Sequence, residues 1–433
     1  MKVLIQSYMD FISKIQQNMT FRRLGDNFIS LFILQFINYI LPLFLIPYLI
    51  YIIGMENFGI YSFIFAIMTY GLKVSDYGFD LSATYHVSIH KNNVTKIHEI
   101  FSSVIIIKSL LAILFLLLLT LAIFTVDKLY LYKELLFLSY GIVLGNIFLP
   151  LWFFQGIEKM RYIMYLNGFL KLSFFLLVLI FVQKESDIKV LLFLHSLTSI
   201  IVGISGLYIA VKFFKIKLSI VPLVTLYFYI KDGWYIFTSK IAVEFYSTSS
   251  TIMVGLFVSP ILLAYYVLSI KIIAAIGNLF DPIIRTVYPY LVNIYQTSNE
   301  NFITKNKQLS IVILIIMIPI SLLIFTFSEF ILELITQKEV APLNIYLLQT
   351  ASFLLLVFPF GGQFTNILVT IKETKLLNLI LISAGVMNVL FAPILLHFFS
   401  VIGMIWLNIF IAYFLILTKA LFIYKLVYKN KKG

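Results

Sequence analysis

The chain has 433 residues, 61% of them hydrophobic and 12% charged, with a formal net charge of +13 and no cysteine. So much apolar surface exceeds what a soluble domain can use, because single cores stop growing near ~250–300 residues. Without cysteine there is no disulfide framework or thiolate metal site, and the basic residues are scattered between apolar runs, not gathered into the patch that nucleic acid requires.

Ahead of the first long apolar run, Leu4, Ile5, Tyr8, Ile12, Ile15 and Met19 recur at helical spacing. That stripe fits an interfacial helix over residues 1–23 on the cytoplasmic side, and a tail without structure fits as well. No small-residue cleavage site follows, so a removable signal is not expected. Apolar runs then recur to the end of the chain, without the period-two alternation of a membrane β-barrel. The expectation is an all-α polytopic membrane protein of about 12 transmembrane helices, each near the ~20 residues that a bilayer demands. The spans fall at 28–53, 58–78, 99–126, 134–154, 162–183 and 188–212, then 232–258, 262–281, 306–328, 343–369, 375–398 and 401–427.

Lys and Arg are about four times as frequent on the N-terminal side of the membrane as on the opposite loops, which puts both termini in the cytoplasm. The second six spans repeat the spacing of the first at an offset of about 205 residues, so that Asp76 stands opposite Asp281. Two six-helix lobes result, an N-lobe over 24–212 and a C-lobe over 232–433. The join, 213–231, is too short and interrupted to span, and is read as a linker along the inner membrane surface. Parallel repeats of this kind handle substrate between their halves.

Within the spans, the charged and amide side chains are the informative residues. In "GWYIFTSKIAVEFYSTSSTIMVGLF" (233–257), Lys240, Glu244, Ser247 or Thr248, and Thr251 share one helix face. Lys240 would lie about 12 Å and Glu244 about 18 Å into the membrane. An unpaired charge at that depth costs on the order of 3 kcal/mol. A packed intrahelical ion pair would explain the two; a hydrated cavity lined by both lobes is the functional alternative. The eighth span repeats the theme with Lys271, Asn278, Asp281 and Arg285, and the first carries Gln35 and Asn38. Lys240, Lys271, Arg285, Gln35 and Asn38 are therefore candidate cavity residues. Glu244, Asp76 and Asp281 are candidate carboxylates for coupling to a proton or sodium gradient. Asp76 and Asp281 also read as helix-end punctuation. Lys73, Lys108 and Lys419 sit near span ends, where snorkelling accounts for them. His86 and His90 fall in a polar loop without acidic companions, so no metal site is expected, nor any organic cofactor.

Several stretches, "LFILQFINYILPLFLIPYLIYIIGMENFGIYSFIFAI", "DYGFDLSAT", "FSSVIIIKSLLAIL" and "GNIFLPLWFFQGIEKM" among them, closely resemble the O-antigen and capsular repeat-unit flippases, the Wzx-type polysaccharide transporters of the MOP exporter superfamily. The resemblance runs from about Leu24 to the C-terminus and is densest in the first half. It departs at Tyr85 and at Tyr288-Pro289-Tyr290, where relatives carry arginine. It implies a MATE-like fold and export of an undecaprenyl-pyrophosphate-linked oligosaccharide across a bacterial inner membrane. Its implied partners are that lipid-linked substrate, membrane lipids, a polysaccharide polymerase and a chain-length regulator. A cation-coupled drug or metabolite antiporter of the same superfamily is the alternative, although the expected cavity is net basic. A membrane polysaccharide polymerase, the enzyme alternative, would need a large outside loop, and the sequence offers none.

Overall fold

The structure, a computed structural model, describes residues 19–429; the side chains of Gln35, Asn38 and Arg285, and residues 1–18 with their expected interfacial helix, lie outside the described part. Among the described residues every regular element is helical, and nine helices are long and apolar enough to cross a membrane. The all-α multi-span class is borne out, whereas the count of twelve is not shown. Two helices are double-length: Met19–Asp76 runs through the first two expected spans and Thr374–Ile423 through the last two. Each is broken once, at Gly54 (φ 78°) and at Ser400 (φ 52°). Glycine adopts positive φ without steric cost, while Ser400 does so under strain. The seventh expected span is divided into Leu223–Tyr246 and Thr248–Phe257, neither of which is among the nine.

The chain forms two compact units. One comprises the described residues up to Leu45, Gly71–Gln183 and Lys189–Phe237. Its core is aromatic: the Phe101 ring packs 5.3 Å from Trp152 and 5.4 Å from Phe153, and Tyr162 stacks on Phe154 at 5.2 Å. The helix Phe79–Ile89 lies on Leu151–Gly156, where the Thr84 hydroxyl donates to the Trp152 carbonyl at 3.1 Å. A Cβ on Gly156 would come within 2.6 Å of Val87, so only glycine admits this approach. The expected loop around His86 is therefore a helix, with His90 as its C-cap. His86 also has the acidic companion that its local sequence lacked, since Nε2 lies 2.9 Å from Asp232 Oδ2.

The join between the repeats packs into this unit. Ile216, Val221, Leu226 and Tyr229 belong to its buried core. The Ser219 amide donates to Ser102 Oγ at 3.0 Å, and His98 Nε2 lies 3.1 Å from the Lys215 carbonyl. Pro222, with no amide to donate, precedes a helix that starts at Leu223 and continues into the seventh span. Burial raises the Tyr229 hydroxyl above its ordinary pKa, and the neighbouring Glu99 carboxylate raises it further.

The second unit comprises Ile46–Tyr70, Lys184–Ile188 and the chain from Thr238 onward. The Asn57 amide donates to the Glu185 carbonyl at 2.9 Å and ties two of these segments together. Leu347, Leu348, Ala351, Met404 and Ile405 are fully buried in it, and Leu291, Phe302, Leu368 and Leu377 belong to one of its core clusters. The long Thr374–Ile423 helix packs against both Thr248–Phe257 and Phe358–Thr370.

Candidate functional site

The seventh span breaks at "EFYSTSST", from Glu244 to Thr251. Hydroxyl side chains in series offer the backbone partners other than its own next turn. The first helix stops at Tyr246 and the second begins at Thr248, with Ser247 at φ −98° and ψ −73° between them. In lipid every carbonyl released by such a break needs a protein partner. The Glu244 carbonyl accepts from the Tyr70 hydroxyl at 3.0 Å and from Ser249 Oγ at 3.3 Å. The Phe245 carbonyl accepts from the Asn388 amide at 2.9 Å, and the Tyr246 carbonyl from Ser250 Oγ at 3.1 Å. Tyr70 and Ser249 also share a hydroxyl–hydroxyl bond.

The Glu244 side chain points into this break. The residue is only 8% exposed, and its carboxylate accepts from the Thr248 hydroxyl. Thr248 opens a ten-residue helix, whose N-terminal dipole favours a negative charge nearby. A line of polar side chains leads onward from the break. Ser250 donates toward Asn388 Oδ1 (3.3 Å) or Asn408 Oδ1 (3.2 Å), and the Asn408 amide donates to the Tyr266 hydroxyl.

Lys240 lies one turn before Glu244 on the same helix and is half-buried. Lys271 is half-buried on Pro260–Gly277, and Asp281 is half-buried at the start of Asp281–Thr297. These three share the second unit with Glu244. Asp76 lies in the other unit, where its Oδ1 is 3.2 Å from Lys108 Nζ, which also donates to the Asn146 carbonyl at 2.8 Å. Lys108 is 1% exposed and Lys419 3% exposed, so neither snorkels. Each finds oxygen partners inside the protein: Lys108 those just named, and Lys419 the Thr365 hydroxyl at 3.0 Å. Position near a span end suggested an escape to the interface, but local packing turns both ammonium groups inward.

Tyr70, Asn388 and Asn408 were not anticipated from the sequence. A tyrosine or asparagine in an apolar run carries no charge to mark it, and their partners are more than a hundred residues away.

The sequence model of a family described as polysaccharide biosynthesis protein matches residues 24–295. The "Putative O-antigen transporter" of Escherichia coli (strain K12) is 32% identical over 266 residues, 61% of this chain and 64% of that protein. A protein of the same name from Shigella dysenteriae is 28% identical over 278 residues, 61% of this chain and 66% of that one. The chain thus matches slightly under two thirds of each relative's length. Among solved structures, the inward-closed lipid II flippase MurJ superposes with a TM-score of 0.71 at 15% identity, over 90% of this chain and 86% of that one. An inward-facing multidrug resistance MATE family transporter of the MOP superfamily gives 0.68 at 15% identity, over 89% and 94%. At this identity the structural likeness shows the fold alone, and that fold is the MATE-like one expected.

Proposed function

The chain belongs to the polysaccharide biosynthesis protein family, and on that premise we propose that it is a flippase for a lipid-linked oligosaccharide. Its substrate is an O-antigen or capsule repeat unit carried on undecaprenyl pyrophosphate. The protein moves it from the inner to the outer leaflet of a bacterial cytoplasmic membrane by alternating access, with both of its own termini in the cytoplasm. The function is transport, and no bond of the substrate is made or broken.

The observation that carries this reading is the broken seventh span with Glu244 buried at the break. Discontinuous helices in transporters mark the place where substrate and coupling ions are handled. Relatives named as O-antigen transporters supply the substrate class. Lys240, Lys271 and Arg285 provide cations for the pyrophosphate, to which a charge-assisted hydrogen bond is about twice as strong as a neutral one. Gln35 and Asn38 supply amide groups suited to the hydroxyls of a sugar. Glu244 carries the coupling to a proton or sodium gradient, with Asp281 as a second carboxylate in the same unit.

The test is complementation. Expressed in a strain that lacks its own flippase but makes the matching repeat unit, the chain restores surface polysaccharide. Lys240→Ala, Lys271→Ala and Arg285→Ala each reduce it at unchanged protein level. Normal polysaccharide from all three variants would remove these residues from the substrate path.

A further inference from the structure

The second unit holds a partly open cavity of about 480 Å³ beside the break of the seventh span, with Tyr246, Ser247 and Thr251 in its lining. Its wall is mostly apolar, with Ile270, Val357, Ile411 and Leu415 among the lining residues. Tyr266 and Asn408, from the polar line that leaves the break, also line it, and Lys419 with Thr365 lies among the other lining residues. Among the described residues no Asp or Glu lines it, and Lys419 is its one charged residue.

Lys419 is 97% buried in a helix whose other side chains are mostly apolar. Its ammonium has three N–H donors. Among the described residues these meet two neutral oxygens, Thr365 Oγ1 at 3.0 Å and, at the limit of bonding distance, the Gly361 carbonyl at 3.5 Å. An ammonium held out of water by neutral acceptors alone is costly to bury. A counter-charge in the adjoining space would offset that cost.

The same place has room for one. Gly361 lines the cavity, and a Cβ built on it would meet no atom within 4 Å. Its backbone is ordinary helix, so neither φ nor packing calls for glycine there. What its bare Cα provides is open space beside the Lys419 ammonium.

We propose that this cavity binds a single-chain amphiphile with one anionic headgroup, its carboxylate or phosphate on Lys419 beside Gly361 and its chain along the apolar wall. The volume lies within the range of roughly 300–1,000 Å³ usual for small-molecule sites, and an apolar lining with a few convergent polar groups is their usual make-up. The site adjoins the break in the seventh span, and it goes beyond the flippase reading by assigning a ligand to Lys419, which that reading does not use.

The test uses the full chain in nanodiscs of zwitterionic lipid, with thermal unfolding and direct binding measured on addition of hexadecanoate, hexadecanol or acetate. The expected result is that hexadecanoate binds and raises the unfolding midpoint, hexadecanol does so much less, and acetate has no effect. Lys419→Met, which keeps an unbranched chain of similar volume, weakens hexadecanoate binding by about tenfold or more, whereas Lys419→Arg retains it. Gly361→Leu leaves the charge in place and blocks the headgroup position, so it also loses binding. It decides the matter if Lys419→Met does not fold. Equal binding of hexadecanol, or undiminished binding by both Lys419→Met and Gly361→Leu, would overturn the proposal. An acetate response as large as that of hexadecanoate would make the site one for small free anions and overturn the amphiphile assignment. Repeat-unit transport is a separate measurement, so the flippase reading stands or falls apart from this one.

Discussion

A charged side chain in an apolar run announces itself in the sequence, but its partner does not. Lys240 and Glu244 were legible because few charges interrupt the seventh span, and Lys108 and Asp76 were visible for the same reason. What could not be read was that Lys108 turns inward, because that depends on Asp76 and the Asn146 carbonyl reaching it from 32 and 38 residues away. Asp76 therefore has a structural duty whatever else it does. Removing one member of a buried ion pair strands the other and costs roughly 3–5 kcal/mol, while replacing both with apolar residues is often neutral. Asp76→Ala should lower the unfolding midpoint clearly, and Asp76→Ala with Lys108→Met should recover most of the loss. If the double variant is no better than the single one, the pair is not what holds these helices. Glu244 leads to a different expectation, since its carboxylate accepts from the Thr248 hydroxyl at a helix N-terminus, inside the break of the seventh span. Glu244→Gln keeps the shape and the Thr248 contact. In liposomes it should flip substrate independently of an imposed proton or sodium gradient, whereas the parent responds to it. Identical gradient responses in the two proteins would exclude Glu244 as the coupling group.

Hydropathy places spans by length and apolar content, because a bilayer sets both, and the boundaries at 53/58 and 398/401 bracket the kinks at Gly54 and Ser400. The break at Ser247 falls inside the expected span 232–258 and involves a single residue, so hydropathy carries no trace of it. The break at Ser247 is the one that shapes the candidate site, and it persists because carbonyls that would otherwise be stranded in lipid have partners. Asn388 is central among these, donating to the Phe245 carbonyl and accepting from Ser250. Asn388→Leu leaves that carbonyl without its donor and should destabilise the protein by about 1–3 kcal/mol. Its transport should fall further than its stability, because the break also positions Glu244. Asn388→Asp keeps an acceptor for Ser250 but loses the amide donor, so it should resemble the leucine variant and not the parent. Full transport by Asn388→Leu would show that the break needs no such support.

At the scale of the molecule, the bias of Lys and Arg is the strongest expectation and has a direct test. Basic residues resist translocation, so the side that is richer in them stays in the cytoplasm. The ion pairs these residues make do not set the orientation. Lys91 with Glu158 at 3.5 Å and Lys189 with Glu134 at 2.7 Å lie on exposed surface, where solvent screens such pairs and they contribute little. The orientation therefore has to be measured as sidedness, and the absence of cysteine from the sequence makes that straightforward. A single cysteine placed at an exposed position reports the side it faces through a membrane-impermeant maleimide. Asn92 and Ser186 are both exposed in short connections, and Ile220, in the join, is 99% exposed. Asn92→Cys and Ile220→Cys should label only after the membrane is opened, and Ser186→Cys should label in intact spheroplasts. The join is the sharpest of the three sites. It packs into the core of the first unit and leads without a break into the helix that carries Lys240 and Glu244. If Ile220→Cys labels from outside while Asn92→Cys does not, the second six spans enter the membrane from the opposite face to the first. The parallel repeat then gives way to an inverted one, and the depths assigned to Lys240 and Glu244 must be counted from the other leaflet.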